Sequence, residues 1–385
     1  MTEVSVTACP DYSEKNVRAA LDNAIGAVGG LDWVRQGMKI AIKANLVSFM
    51  APDKAATTHP ALLCALCDML TERGASVIIG DSPGGLYNAA FVDKVYSATG
   101  MHAAEAHGGR LNSDFGQSEA HFPAAAQAKS FTYTSYLDSA DAIIDFCKLK
   151  SHGMMGMSCA VKNMFGVVPG TMKPEYHYRY PNHADFADML VDLNEYFAPK
   201  VKLCLCDAVV GMEGNGPTAG DPKQIGAVIA SASPYLLDLV AAKIIGLDIS
   251  TVPTLEAAYR RGLAPDSADK VNVSAGYGDF ISADFKNLPH HESLEFGADG
   301  KGGFTAGVLK ALLRSKPVVK KAECVGCGVC MRVCPASAIV IKDKKAVIDR
   351  KKCIRCFCCQ EFCPKGAMKV GRTLVARTVT HGKRR

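Results

Sequence analysis

The sequence contains a single tryptophan and only 7% aromatic residues. Its basic residues are not interleaved with an aromatic stacking platform, which argues against nucleic-acid binding. No apolar run approaches the roughly 18–20 residues a membrane span needs. The first sixteen residues have neither a basic n-region nor an apolar h-region, so a cytoplasmic protein is expected. There is no G-x-G-x-x-G and no Walker A pattern, and no complete nucleotide, flavin or haem signature.

Cysteine is abundant: sixteen in 385 residues, nine of them between positions 324 and 363. In a chain this long, clustered cysteines point to metal ligation and not to a disulfide scaffold. Charge is as uneven. Residues 316–385 hold 18 Lys+Arg against 4 Asp+Glu, a balance of +14, and the rest of the chain carries −8. That positive charge either offsets bound cluster charge or steers an acidic redox partner protein of the ferredoxin type.

The cysteines form two copies of one pattern. The first reads Cys324-x2-Cys327-x2-Cys330-x3-Cys334-Pro335, the second Cys353-x2-Cys356-x2-Cys359-x3-Cys363-Pro364. This is the bacterial ferredoxin run, in which the fourth cysteine of each half ligates the other cluster. Two [4Fe–4S] clusters are expected, one on Cys324, Cys327, Cys330 and Cys363, the other on Cys353, Cys356, Cys359 and Cys334. Zinc is the alternative for thiolate tetrads. Cys358, where the first half has Val329, is either a packed thiol or a substitute ligand.

Ahead of this module the chain alternates β-branched runs with amphipathic stretches. The expectation is an α/β front domain with a mostly parallel sheet, plus a small α+β ferredoxin-like C-terminal domain. Strands are expected at 4–7, 38–42, 76–79, 142–146, 202–206 and 225–230, and helices at 13–28, 59–71 and 234–245. Domain bounds are placed at 1–314 and 318–385, the latter with a basic tail, joined by a linker at 315–317. A hairpin is expected at 338–348. Cys64 and Cys67 read as buried helix thiols. Cys204 and Cys206 are read as facing opposite sides of their strand, unable to share an ion.

Several stretches of the front domain carry a resemblance. They are Ile42-Lys43-Ala44-Asn45-Leu46, Thr57-Thr58-His59-Pro60, Gly80-Asp81-Ser82-Pro83-Gly84-Gly85, Lys148-Leu149-Lys150-Ser151-His152 and Ala160-Val161-Lys162-Asn163, with residues 207–217 and 231–238. Together they resemble the domain-of-unknown-function family 362, often fused to a ferredoxin module. The resemblance implies a fold and an iron–sulfur cofactor, not a substrate. Ala44 stands where the family usually has proline. A remoter similarity is to lactate-racemase-like proteins, which hold a nickel cofactor; no stretch matches them residue by residue, and no ligand is carried over.

Read physically, the front domain offers cofactor-binding candidates in Lys43, Asn45, Gly80, Asp81, Gly84 and Asn163. Glycines after a strand let backbone N–H groups approach an anion, and an acid at a strand's carboxyl end sits where open α/β sheets bind ligands. Lys150, Lys162, His152 and His177 are the catalytic candidates: lysines for an anionic small molecule, histidines for protons. The alternatives are a plain β-turn at Gly80, structural histidines, and a surface loop at 176–180 in place of a lid. Asp207 and Glu213 are expected as loop carboxylates, and His59 as a shaper of its helix start. Three functions follow: an iron–sulfur oxidoreductase, an electron carrier or adaptor for a partner enzyme, or a metal-cofactor isomerase.

Overall fold

The structure, a computed structural model, describes residues 2–288 and 316–371. Residue 315 of the expected linker and the basic tail beyond 371 lie outside the described residues. In the front domain the strands are β1 (Val4–Ala8), β2 (Lys39–Lys43), β3 (Ser76–Gly80), β4 (Gly109–Leu111), β5 (Gln117–His121), β6 (Ser130–Thr134), β7 (Ala142–His152), β8 (Gly156–Ser158), β9 (Val201–Glu213) and β10 (Asp221–Ser231). Its helices are α1 (Glu14–Ala27), α2 (Pro60–Thr71), α3 (Ala89–Thr99), α4 (Ala160–Asn163), α5 (Lys173–Arg179), α6 (His183–Phe197), α7 (Pro234–Ile244) and α8 (Pro253–Arg260). The sheet order is β1-β10-β9-β7-β2-β3-β4, with β8 also paired to β7. From β9 to β4 every pairing along this order is parallel, and β10 and β1 add an antiparallel edge.

Helices cover both faces. Helix α1 buries Val17, Ala20, Leu21, Ala24 and Ile25, the three-and-four spacing of one helical face. Helix α2 starts with Pro60 behind His59, whose Nδ1 accepts the Ala61 N–H at 3.2 Å, capping the first turn. Together they pack on β2 and β3, while α6, α8 and the β5–β6 hairpin build the opposite layer. Because β2, β3 and β7 run parallel, their carboxyl ends share one edge. That edge brings Lys43, Asp81 and Lys150 together from positions far apart in sequence.

Two strands run longer than expected. Strand β7 continues through Lys148, Lys150 and His152, and all eleven of its residues are buried. Central parallel strands read as continuous apolar runs, so buried lysines hide the second half of this one. Strand β9 continues to Glu213, which makes Asp207 a buried strand residue and not a loop carboxylate. Residues 176–179 belong to α5 and not to a loop, with Tyr176 and His177 buried. Cys204 and Cys206 join the same apolar cluster. Residues two apart in a strand share a face, so the reading of opposite faces is corrected.

The C-terminal module contains β11 (Lys316–Val319), α9 (Val329–Arg332), β12 (Ile339–Lys342), β13 (Lys345–Ile348), α10 (Cys358–Glu361) and β14 (Met368–Gly371). Strands β12 and β13 form the expected hairpin, and β11 pairs with β14. Lys316 and Pro317, expected in the linker, instead begin β11. No helix among the described residues is long and apolar enough to cross a membrane.

Candidate functional site

The module presents two cysteine cradles. One small cavity is lined by Cys324, Cys327, Cys330 and Cys363, the other by Cys334, Cys353, Cys356 and Cys359 together with Cys358. Backbone N–H groups point at the sulfurs: Ala346 at Cys324 (3.4 Å), Ala338 at Cys334 (3.2 Å) and Ala367 at Cys363 (3.3 Å). Such donors hold thiolate charge and tune cluster potential. The thiol donor set, its exchange of the fourth cysteine and these N–H groups all fit 4Fe–4S binding. Cys358 is a fifth thiol in the wall of the second cradle, outside the spaced four and buried beside Cys356.

The two halves reach the same loop geometry by different means. Gly326 and Gly328 of the first half have φ of 70° and 77°. At the matching places the second half has Arg355 and Phe357, both at φ 61°. A side chain in that region costs roughly 1–2 kcal/mol. Phe357 is held there by burial of its ring in the front-domain core.

Helix α10 carries the module into the front domain. Gln360 is fully buried and donates from Nε2 to Asn215 Oδ1 (3.0 Å) and Gly216 O (2.9 Å). Thr218 Oγ1 donates to Glu361 O at 3.2 Å, and Val370 N to Asn215 Oδ1 at 3.3 Å. The Glu361 carboxylate reaches His152, with Nε2 and Oε1 2.9 Å apart.

Between the two parts lies a cavity of about 930 Å³. The front domain contributes Asn45, Asp81, Gly84, Lys150, His152, Lys162 and Asn163, and the module contributes Glu361, Phe362 and Cys363. Lys173, Phe49 and Phe165 add to its wall. Cys363 also lines the first cradle, as do Val329, Pro364 and Lys365, so cradle and cavity share a wall. Val47, on the cavity lip, holds φ 37°, a strained conformation for a β-branched residue.

The floor is a hydrogen-bonded polar network. Lys43 Nζ pairs with Asp81 Oδ1 at 2.7 Å and donates to Ala44 O. Asp81 also accepts from Leu46 N (2.8 Å) and Ser82 N (2.9 Å). Asn163 Oδ1 accepts from Asn45 Nδ2 at 2.8 Å, while its Nδ2 donates to Asp145 Oδ1 at 2.5 Å and Lys43 O at 3.1 Å. Lys150 Nζ donates to Asn45 Oδ1 (2.7 Å) and Ala56 O (2.8 Å). Burial, reinforced by Lys162, pulls the Lys150 ammonium down to about 7; burial pushes the Asp145 carboxyl up to about 7.

Lys162 differs from these. Its Nζ sits 4.9 Å from the Phe165 ring centroid, with no hydrogen bond or ion pair to the described residues. Burial lowers its pKa, and Glu361 is the strongest opposing influence. His152 Nδ1 accepts the Met154 and Met155 N–H groups, both at 3.1 Å, which leaves the proton on Nε2, facing Glu361. Burial, then Lys162, lowers the His152 pKa, so the ring is neutral. Burial alone would raise Glu361; Lys162 and His152 outweigh it and keep the carboxylate ionised.

Three expected site residues are not in the cavity wall. Lys43 lies behind Asp81. Gly80 packs against the Tyr136 ring, which a Cβ there would meet at 2.6 Å. His177 is stacked on Phe186 at 4.4 Å between ring centroids, and burial holds its pKa at about 3. Asp207 forms a separate buried cluster, pairing with Lys148 Nζ at 2.8 Å and accepting from Tyr12 OH at 2.9 Å. Lys173, Glu361 and Phe362 were missed by sequence reasoning. Aligning the two cysteine runs carries the signal for the last two: Gln360-Glu361-Phe362 stands where the first half has Met331-Arg332-Val333.

Residues 316–364 match the 4Fe-4S dicluster domain. A thylakoid-associated protein of Synechocystis sp. is 32% identical over 274 residues, covering 69% of this chain and 81% of that protein. Among solved structures, the lactate racemase apoprotein from Thermoanaerobacterium thermosaccharolyticum aligns with a TM-score of 0.40 at 12% identity, over 66% of this chain. A Thermotoga maritima protein aligns at 0.33 and 12% identity, over 54% of this chain. The chain spans 58% and 52% of the lengths of these two structures. Residues 40–243 match the domain of unknown function DUF362, and the chain belongs to that family, with a C-terminal 4Fe–4S domain.

Proposed function

We propose that this chain is an iron–sulfur oxidoreductase whose interface cavity holds an anionic small molecule or cofactor. The observation that carries the reading is the shared wall: Lys150, Lys162 and His152 face the same space as Cys363 of a cluster cradle. The two cradles would hold one [4Fe–4S] cluster each, on Cys324, Cys327, Cys330 and Cys363 and on Cys353, Cys356, Cys359 and Cys334. When bound, these clusters supply single electrons.

The chain's own residues do the rest. Lys162, a buried cation with no anion among the described residues bonded to it, takes the ligand's negative group. Lys150 and Lys173 add positive potential, strengthened by the low dielectric of the cavity. The Nε2–H of His152 is a neutral proton donor in the cavity wall, beside Glu361 and held through Nδ1 by the Met154 and Met155 N–H groups. Asn45 and Asn163 fix the floor, and Phe49, Phe165 and Phe362 exclude water from an apolar body. A ferredoxin-type acidic protein is the redox partner on this reading, supported by the +14 balance of residues 316–385. A reducing cytoplasmic compartment agrees with sixteen cysteines of which none is in a disulfide.

The test is anaerobic reoxidation of the reduced protein by a panel of carboxylate- and phosphate-bearing acceptors. One class should reoxidise it faster than buffer does. Lys162→Ala should raise the half-saturating acceptor concentration roughly tenfold or more, about 1.4 kcal/mol of binding, at unchanged iron content. Failure of every acceptor, or an unaffected variant, removes the reading.

A further inference from the structure

Three cysteines that the cavity chemistry does not use converge inside the front domain. Cys147 on β7 lies opposite Cys206 on β9, and Cys159 immediately precedes α4. Cys147 Sγ is 3.4 Å from Cys159 Sγ, which is 3.5 Å from Cys206 Sγ. All three sulfurs lie within 4.8 Å of one another, and none is in a disulfide. Cys147 projects from the opposite face of β7 to Lys148 and Lys150, as strand alternation requires. The three belong to an apolar cluster with Leu149, Met157 and Ala160, and each is at most 1% exposed.

We propose that this triad is a buried site for monovalent copper, coordinated by three cysteine sulfurs. Sulfurs sharing one ion at about 2.3 Å stand about 3.8–4.0 Å apart, so the observed spacing needs only small adjustments. A cubane cluster places its cysteines on separate irons, farther apart than these. Structural zinc takes four ligands. Among the described residues no further His, Cys, Asp or Glu joins the set, and burial denies water as the fourth. Soft thiolates with a low coordination number select copper(I). Charge agrees. Lys148 Nζ is committed to Asp207, and Asp238 beside Cys159 is itself an acid, so among the described residues no free cation nearby balances several thiolates. A monovalent ion needs one thiolate for neutrality, a divalent ion two. Bound there, the ion would tie the two central strands to α4, the helix that carries Lys162 and Asn163.

The site is sealed, so metal must be offered before folding closes it. The full chain, produced anaerobically in medium supplemented with copper or with zinc, is analysed for copper, zinc and iron. The expected result is about one copper per chain more in the parent than in Cys159→Ser or Cys206→Ser, at equal iron. Cys204→Ala, on the same strand face but outside the triad, should keep the copper. Should the serine variants fail to fold, copper X-ray absorption of the parent decides, with three sulfur neighbours expected. Copper equal in parent and folded variants, a copper shell without three sulfurs, or zinc held at this site in preference to copper overturns the proposal.

Discussion

His152 Nε2 and Glu361 Oε1 meet at 2.9 Å across the boundary between the front domain and the cysteine module. The histidine ends the longest buried strand of the parallel sheet, and the glutamate lies between Cys359 and Cys363. A position expected to serve a substrate together with Lys150 and Lys162 thus lies against a residue beside the cluster ligands. The Met154 and Met155 N–H groups hold one side of the histidine ring, and the other side faces the seated module.

Glu361→Gln keeps the size of the side chain and a hydrogen-bond acceptor while removing its charge. With one negative charge fewer beside the cradles, an added electron is favoured. The potential of the cluster-loaded protein should therefore become less negative, at unchanged iron content. A potentiometric titration followed by electron paramagnetic resonance measures this. An unchanged potential would show that the carboxylate is screened from the cysteine loops.

Asp81→Ala leaves Lys43 in the interior without its carboxylate, and also strips the acceptor from Leu46 N and Ser82 N. Breaking a buried ion pair by removing one partner costs about 3–5 kcal/mol. Asp81→Asn retains an acceptor and should lose less. Urea unfolding of both variants against the parent gives the comparison. Losses under about 1 kcal/mol for both, the range of an exposed pair, would mean that water reaches Lys43 in solution.

Much of this arrangement was legible in the sequence, and what escaped has specific causes. The cradles follow from cysteine spacing, because ligand spacing is local. The parallel sheet follows from β-branched runs such as 40–42 and 76–79. The second half of β7 did not, since Lys148, Lys150 and His152 break the apolar pattern. The two lysines are paired with groups distant in sequence, Asp207 and Asn45, and His152 is capped by the Met154 and Met155 N–H groups of the turn that follows the strand. Gly84 was read as part of an anion cradle. It makes room for Phe362, a contact between residues 278 positions apart that no local pattern encodes.

Lys150 gives a pH signature. Its ammonium is disfavoured in the fold, with a pKa of about 7, whereas in the unfolded chain it titrates near 10.4. Between these values the unfolded chain binds one proton more, so this residue's contribution to stability rises with pH. Below pH 7 both states are protonated and the penalty is fully present. Lys150→Met should be best tolerated at pH 6 and progressively less so toward pH 9. Urea midpoints of parent and variant across that range give the difference, in which other titrating groups cancel. Parallel profiles would mean that Lys150 stays charged in the fold.

Gly84→Leu tests whether seating of the module, and not merely its presence, is needed. A Cβ at Gly84 would lie 2.8 Å from the Phe362 ring. Both ring and glycine line the cavity, and the ring is bounded by Glu361 and Cys363. A leucine must therefore push the α10 end of the module outward, separating Glu361 from His152. The cysteine cradles are built within residues 324–363 and should still load iron. The expected outcome is parental iron content with faster proteolysis near residues 357–366 and reoxidation by the acceptor slowed at least tenfold. Phe362→Ala added to Gly84→Leu removes the clash and should restore part of the rate. A Gly84→Leu protein with parental rate and protease resistance would show that the interface yields without consequence, and that the shared cavity wall is not where the chemistry depends on contact.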